Sequence, residues 1–134
     1  HSGINNWEVT KKAVDGNNTV IRHLKSIRDC AVEMERALSR GHLKSLAPIF
    51  AREWKARKQL APNISTPQMD RLMRAAQKKG ALAGKVCGAG GGGCVAFIVP
   101  PAKKQSVMEE LTSKGGKVLP FRFVSRGLRC QAPA

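Results

Sequence analysis

Apolar side chains in the first part of the chain recur at steps of three and four residues, the spacing of one face of a helix. Between residues 18 and 40 this face consists of Val20, Leu24, Ile27, Ala31, Met34 and Leu38. Gly41 supplies a helix stop. A second face follows, made of Leu43, Leu46, Phe50 and Trp54. The pattern predicts two consecutive amphipathic helices.

A helix-start signal opens the next predicted element. Ser65 and Thr66 offer hydroxyl caps, and proline and glutamine follow at the first helical positions. The apolar positions that come after them are Met69, Leu72, Met73 and Ala76. Gly80 suits the residue beyond a helix end, so the pattern predicts a third helix that runs to about residue 79.

The period changes after Gly80. Residues 85–89 and 94–99 are rich in Val, Cys, Ile and Phe and are separated by glycines, which predicts two strands of a hairpin. Two prolines end the second strand and open a further helix that stops at Gly115. Residues 117–124 alternate apolar and polar positions and predict a last strand, which Pro120 restricts to an edge or a bulge.

The order of these elements predicts an α+β fold. Helices followed by strand, strand, helix and strand match a ferredoxin-like βαββαβ unit with extra helices in its first crossover. We expect one domain over residues 1–134, with three antiparallel strands and helices on one face. The chain begins at His1 without a methionine, so we expect the first strand to lie upstream. An open sheet edge invites pairing, and we expect another copy of the chain or a crystal neighbour to cover it.

Charge is the extreme property of this composition. The 24 Lys and Arg against 9 Asp and Glu give a net charge of +15. Such a surface attracts phosphate on a nucleic acid, a nucleotide or a metabolite. The alternative is that this chain is cut from a longer protein, whose remaining part balances the positive charge. The 4 cysteines form no C-x-x-C pair and have no histidines at zinc-finger spacing, which disfavours a structural metal. Without a leader or a long apolar run, we expect reduced thiols in a cytoplasmic protein and no membrane contact.

The main candidate for a binding site is a glycine-rich segment. It consists of Gly88, Ala89, Gly90, Gly91, Gly92 and Gly93. Its glycines match G-x-G-x-x-G, but the following residues have a strand pattern instead of the helix that a dinucleotide site needs. No Gly-Lys-Ser or Gly-Lys-Thr follows, so the segment is not a P-loop. Consecutive glycines allow backbone N–H groups to turn toward an anion. A plain hairpin needs only one or two glycines, and the excess favours a phosphate-approaching loop over a simple turn.

The ten residues 85–94, KVCGAGGGGC, resemble the third motif of the GHMP kinases, named for galactokinase, homoserine kinase, mevalonate kinase and phosphomevalonate kinase. Residues 2–7 and 53–60 are similar to the branch that contains heptose 7-phosphate kinases and related sugar kinases. The resemblance implies the C-terminal part of an ATP-dependent sugar or sugar-phosphate kinase. ATP and Mg²⁺ would be bound mainly by an upstream domain with a Pro-x-x-x-Gly-Leu-Gly-Ser-Ser loop, which this chain does not contain. The glycine segment would shape the site near the transferred phosphate.

Four further residues are candidate substrate ligands: Lys85, Arg57, Lys58 and Ser2. Lys85 precedes the glycines, and Arg57 and Lys58 end a predicted helix. Ser2 matches the end of a family motif. For the three cations, the alternative is that their side chains are solvated and bind no ligand. We expect Trp7 and Trp54 in the core, and no catalytic base is identifiable. A basic anion- or nucleic-acid-binding module without enzymatic activity is the second hypothesis. The 4% aromatic content and the absence of a recognition motif disfavour nucleic acid as the partner.

Overall fold

The computed structural model describes residues 6–127 and confirms an α+β fold. Its α-helices are α1 (Asn6–Val14), α2 (Asn18–Ser39), α3 (Leu46–Arg57), α4 (Pro67–Lys78) and α5 (Lys104–Ser113). Short 3₁₀ turns, Leu43–Ser45 and Pro101–Lys103, lead into α3 and α5. The strands β1 (Ala83–Val86) and β2 (Val95–Ile98) pair antiparallel, with Ala83 opposite Ile98 and Val86 opposite Val95. The predicted hairpin through the glycines is therefore confirmed.

Capping side chains fix where the predicted helices begin. The Asn17 side chain accepts a hydrogen bond from the Val20 N–H (3.0 Å), and the Thr66 hydroxyl accepts one from the Met69 N–H (3.2 Å). Each bond satisfies a backbone donor that the first helical turn leaves without a partner. Helix α1 was not predicted; it contains no buried residue, and its half-buried Val9 and Ala13 pack against the edge of the core. Its Trp7 is 67% exposed, so the prediction that Trp7 lies in the core was wrong.

The core lies where α2, α3, α4 and the hairpin meet. Its central cluster consists of Val20, Trp54, Leu60, Ile64, Met69, Met73 and Val86. A second cluster joins α2 to α3 through Cys30, Ala37 and Ile49. Small side chains at positions 30 and 37 leave room for Ile49, so the buried stripe of α2 runs through them. The predicted stripe positions Ala31 and Leu38 are exposed instead, as is Leu43 before α3.

The predicted third strand is absent from the described residues. The sheet has two strands, and residues 117–124 form no ladder. Leu119, Phe121 and Phe123 are exposed by 52%, 80% and 94%. In a split βαββαβ sheet the first strand separates the last one from the hairpin, so the last strand cannot pair with the hairpin directly. Residues 6–127 provide no such strand, and Pro120 also lacks a backbone donor. Among these residues no helix is long and apolar enough to cross a membrane.

Candidate functional site

The glycine segment is the loop of the β1–β2 hairpin. The Cys87 N–H donates to the Cys94 carbonyl (2.8 Å), one step beyond the last strand pair, and closes the neck of the loop. Gly88 to Gly93 lie between the two cysteines, and strand β2 follows them at Val95. No helix begins in or directly after the segment, so the loop lacks the helix N-terminus that defines a dinucleotide site.

One side of this loop is attached to the core. The Gly91 N–H donates to the Ile64 carbonyl (3.0 Å), in the connection between α3 and α4. Gly90 has φ +100°, and a Cβ at that position would lie 2.6 Å from the same carbonyl oxygen. Ile64 itself is 2% exposed and belongs to the central cluster. The loop is therefore held in a fixed place, at a contact that leaves no room for a side chain at position 90.

The other side of the loop faces outward. Gly88, Gly92 and Gly93 are exposed, and Gly88 and Gly93 have φ values of +89° and +92°, in the left-handed region. Within residues 6–127 the N–H groups of these three glycines donate to no backbone carbonyl. The Gly91 N–H, by contrast, donates its hydrogen bond to the Ile64 carbonyl. The loop donors that remain for an anion therefore include those of the outward glycines, at the tip and neck of a docked loop.

A buried carboxylate, Glu53, holds two of the predicted substrate ligands. Glu53 is 7% exposed. Arg57 Nε donates to Glu53 Oε1 (2.7 Å), and a second guanidinium N–H of Arg57 reaches the same oxygen. No well-aligned hydrogen bond from the described residues reaches Glu53 Oε2, but the Lys85 ammonium lies 2.8 Å from it and balances its charge. The three side chains form an ion-pair cluster between α3 and β1. Lys85 and Arg57 are thus partners of a buried carboxylate, a role that differs from both predicted ones, substrate ligand and solvated cation.

Glu53 was not among the predicted site residues, although the sequence contains a signal for it. Glu53 stands three residues after Phe50 and one before Trp54, on the side of α3 that carries large apolar residues. A carboxylate on such a face needs a partner inside the fold. Arg57 stands one helical turn later, at the i,i+4 spacing that favours an ion pair.

The remaining predicted ligands are not part of this arrangement. Lys58 is exposed, and its ammonium lies over the Trp54 ring, 5.8 Å from the ring centroid. Trp54 is buried, which agrees with its predicted place in the core. Ser2 lies outside the described residues. The structure therefore joins Lys85 and Arg57 through Glu53, and it leaves Lys58 outside this ion-pair cluster.

A second cationic surface lies along α2 and does not include the loop. An open hollow of about 520 Å³ is lined by Arg22, Lys25, Arg52 and the carboxylates Asp29 and Glu33, among others. Arg52 donates to Cys30 Sγ (3.3 Å) and pairs with Glu33 (2.5 Å). The hydrogen bonds to Glu33 and then to Cys30 raise the pKa of the Arg52 guanidinium. Since Glu33 already balances its charge at the surface, Arg52 is poorly suited to hold a ligand.

Comparison with known proteins places these features in a family. The family described as "GHMP kinases C terminal" matches residues 34–117, which include the ion-pair cluster and the glycine loop. The chain is 31% identical over 122 residues to D-glycero-alpha-D-manno-heptose 7-phosphate kinase of Campylobacter jejuni, covering 91% of this chain and 36% of that protein. It is 37% identical over 71 residues to mevalonate kinase of Thermococcus onnurineus, covering 53% of this chain and 21% of that protein.

The mevalonate kinase of Methanocaldococcus jannaschii is 35% identical over 63 residues, covering 47% of this chain and 20% of that protein. The chain thus spans about a third of the heptose kinase and about a fifth of the two mevalonate kinases. The family match covers more than half of the chain, and it includes the hairpin whose sequence resembled the third motif. The chain belongs to the GHMP kinase family and corresponds to the C-terminal domain of these kinases.

Proposed function

We propose that this chain is the C-terminal part of an ATP-dependent kinase that phosphorylates a sugar or a sugar phosphate. The observation that supports this most is the docked glycine loop, with a fixed inner side at Ile64 and exposed N–H donors at Gly88, Gly92 and Gly93. Phosphoryl transfer depends mainly on positioning and charge stabilisation, which fixed backbone donors provide. Among the relatives, the match to heptose 7-phosphate kinase extends over 91% of this chain, which favours a sugar phosphate over mevalonate as the acceptor.

The loop and its neighbours suit a phosphate better than a metal ion. Backbone N–H groups bind anions, and the start of α4, three residues after Ile64, adds the positive end of a helix dipole to this region. No cluster of three His, Cys, Asp or Glu residues that would hold a metal occurs within residues 6–127. In this proposal ATP and Mg²⁺ are therefore held mainly by an upstream domain, and the loop completes the site near the transferred phosphate.

Lys85 and Arg57 act as supports of the loop in this scheme. Their charges are directed to Glu53, and Lys85 begins the segment that leads through Cys87 into the glycines. Phe50 packs under the Lys85 ammonium, with 5.6 Å between Nζ and the ring centroid. The cluster fixes the first strand of the hairpin on α3, and the hydrogen bond from Gly91 to Ile64 fixes the loop itself.

The test is steady-state kinetics on the full-length protein that carries this chain, with ATP and a panel of heptose 7-phosphates, free sugars and mevalonate. Gly90→Ala should lower kcat/KM by at least about tenfold, because φ +100° and the 2.6 Å contact to Ile64 both oppose a Cβ. Gly127→Ala, outside the loop, is the matched control, since its φ is not in the left-handed region and its Cβ would meet open space. It should retain activity near wild type.

Two outcomes would contradict the proposal. If no sugar, sugar phosphate or mevalonate supports ATP-dependent turnover, the chain is not part of such a kinase. If Gly90→Ala and Gly127→Ala are equally active, the fixed position of the loop does not matter to the reaction. A circular dichroism spectrum of both variants separates a displaced loop from a failure to fold.

A further inference from the structure

We propose that Cys87 and Cys94 are a modification site, a thiol pair that closes to an intramolecular disulfide across the neck of the glycine loop. Both thiols are free and exposed. The strand register, continued by one step past Val86 and Val95, places the two cysteines opposite each other. The hydrogen bond from the Cys87 N–H to the Cys94 carbonyl (2.8 Å) confirms that they face each other across the hairpin.

The geometry of an antiparallel pair permits this bond. Residues that exchange a backbone hydrogen bond across two strands have Cα atoms about 5.5 Å apart, and their side chains leave the sheet on the same side. Disulfides join cysteines whose Cα atoms lie about 4.4–6.8 Å apart. The two sulfurs can therefore meet by side-chain rotation, without a change in the register of β1 and β2.

The third described cysteine has a different environment. Cys30 is 1% exposed, and its sulfur accepts a hydrogen bond from Arg52 (3.3 Å). A small oxidant reaches thiols in solvent and does not reach a buried one in the folded protein. The modification should thus be confined to the pair at the loop.

The oxidant that we name is a small-molecule disulfide, RSSR, such as oxidised glutathione. One cysteine thiolate attacks an RSSR sulfur, which forms a mixed disulfide and releases one RSH after protonation. The other cysteine thiolate then attacks the protein sulfur of that mixed disulfide and releases the second RSH. The protein loses two electrons and two protons, and RSSR gains both. The net charge of +15 favours encounter with an anionic oxidant of this kind.

Closure of this bond would restrain the loop. The six residues from Gly88 to Gly93 would be tied at both ends, in addition to the hydrogen bond from Gly91 to Ile64. Opening of the loop neck exposes its amides to solvent exchange. Oxidation should therefore slow hydrogen exchange at the amides of Cys87 and Gly91, which are held in hydrogen bonds, and a thiol reductant should reverse the effect.

The test uses the full-length protein, treated with oxidised glutathione and then blocked with N-ethylmaleimide. Trypsin cuts after Lys85 and Lys103, so one peptide, residues 86–103, holds both cysteines and no other. We expect this peptide to lose two hydrogen atoms in mass and to take no maleimide, and to take two maleimides after reduction. Cys94→Ser is the matched control and should stop at the mixed disulfide on Cys87. The peptide of residues 29–36, which carries Cys30, should remain unmodified before unfolding.

Three results would overturn the proposal. The first is a wild-type peptide 86–103 that carries glutathione without closing the internal bond. The second is a disulfide that joins two molecules instead of the two cysteines of one chain. The third is an oxidised loop whose Cys87 and Gly91 amides exchange as fast as in the reduced protein, which would refute the restraint. These readouts concern sulfur chemistry and loop exchange, so they are independent of the kinase proposal.

Discussion

The buried carboxylate Glu53 gives the sharpest stability prediction. Glu53→Gln keeps the size and shape of the side chain but removes its charge, so Lys85 and Arg57 lose the anion that both of them face. Breaking a buried ion pair by removing one partner costs about 3–5 kcal/mol. Lys85 and Arg57 keep 21% and 25% of their side chains exposed, so water replaces part of the lost interaction. We expect a loss of about 2–3 kcal/mol in the free energy of unfolding.

The assay is urea unfolding of the 134-residue chain, followed by the fluorescence of Trp54 in a Trp7→Phe background. Trp54 is buried beside Glu53, whereas Trp7 is exposed and would report local solvent instead. Asp29→Asn is the matched control, because the carboxylate of Asp29 pairs with Arg28 while 54% of its side chain is exposed. Its cost should stay within about 0–1 kcal/mol, as is typical of surface pairs.

The reasoning would be refuted if Glu53→Gln cost no more than Asp29→Asn. A double-mutant cycle with Lys85→Gln adds a second check. Because Glu53 and Lys85 are direct partners (2.8 Å), the double variant should be more stable than the sum of the two single changes predicts. Additive effects would mean that the ammonium contributes through its packing on Phe50 and not through the carboxylate.

Three further predictions follow from the structure and the proposed function. Thr66→Ala should lower the unfolding free energy by about 1 kcal/mol, since the Met69 N–H loses its cap, and an unchanged urea midpoint would contradict this. The 134-residue chain alone should show no ATP-dependent turnover with any sugar or sugar phosphate, and measurable phosphate transfer would contradict a site shared with an upstream domain. Binding of the chain to single- and double-stranded DNA should be weak at physiological salt, and tight binding with a steep salt slope would favour the nucleic-acid hypothesis.

Helices with capping residues were the most predictable part of the fold. The predicted spans 18–40 and the helix after Thr66 agree with α2 and α4 to within about two residues, because Asn17, Thr66, Gly41 and Gly80 mark their ends locally. The rotation of α2 was less predictable. Whether Ala31 or Cys30 turns inward depends on where Ile49 of α3 lies, which is a tertiary contact that the α2 sequence does not encode.

The strand prediction failed where pairing depends on a distant segment. Residues 117–124 have the alternation of a strand, but a strand exists only with a partner, and the described residues offer none at that place. The position of the glycine loop was predictable from its composition and its flanking β residues. Its attachment to Ile64 was not, because the contact joins backbone groups 27 residues apart in sequence and involves no characteristic side chain.

The contact between Gly90 and Ile64 also sets a rule for how the sequence can change over evolutionary time. A side chain at position 90 is blocked by a main-chain oxygen, which no substitution at position 64 can remove. A relative that carries any residue other than glycine here must therefore have a different route between the two helices that this connection joins, through an insertion, a deletion or a shifted proline. In an alignment of relatives, loss of this glycine and a change in the length of residues 58–66 should occur together, even though the hairpin loop and the α3–α4 connection are separate segments of the sequence.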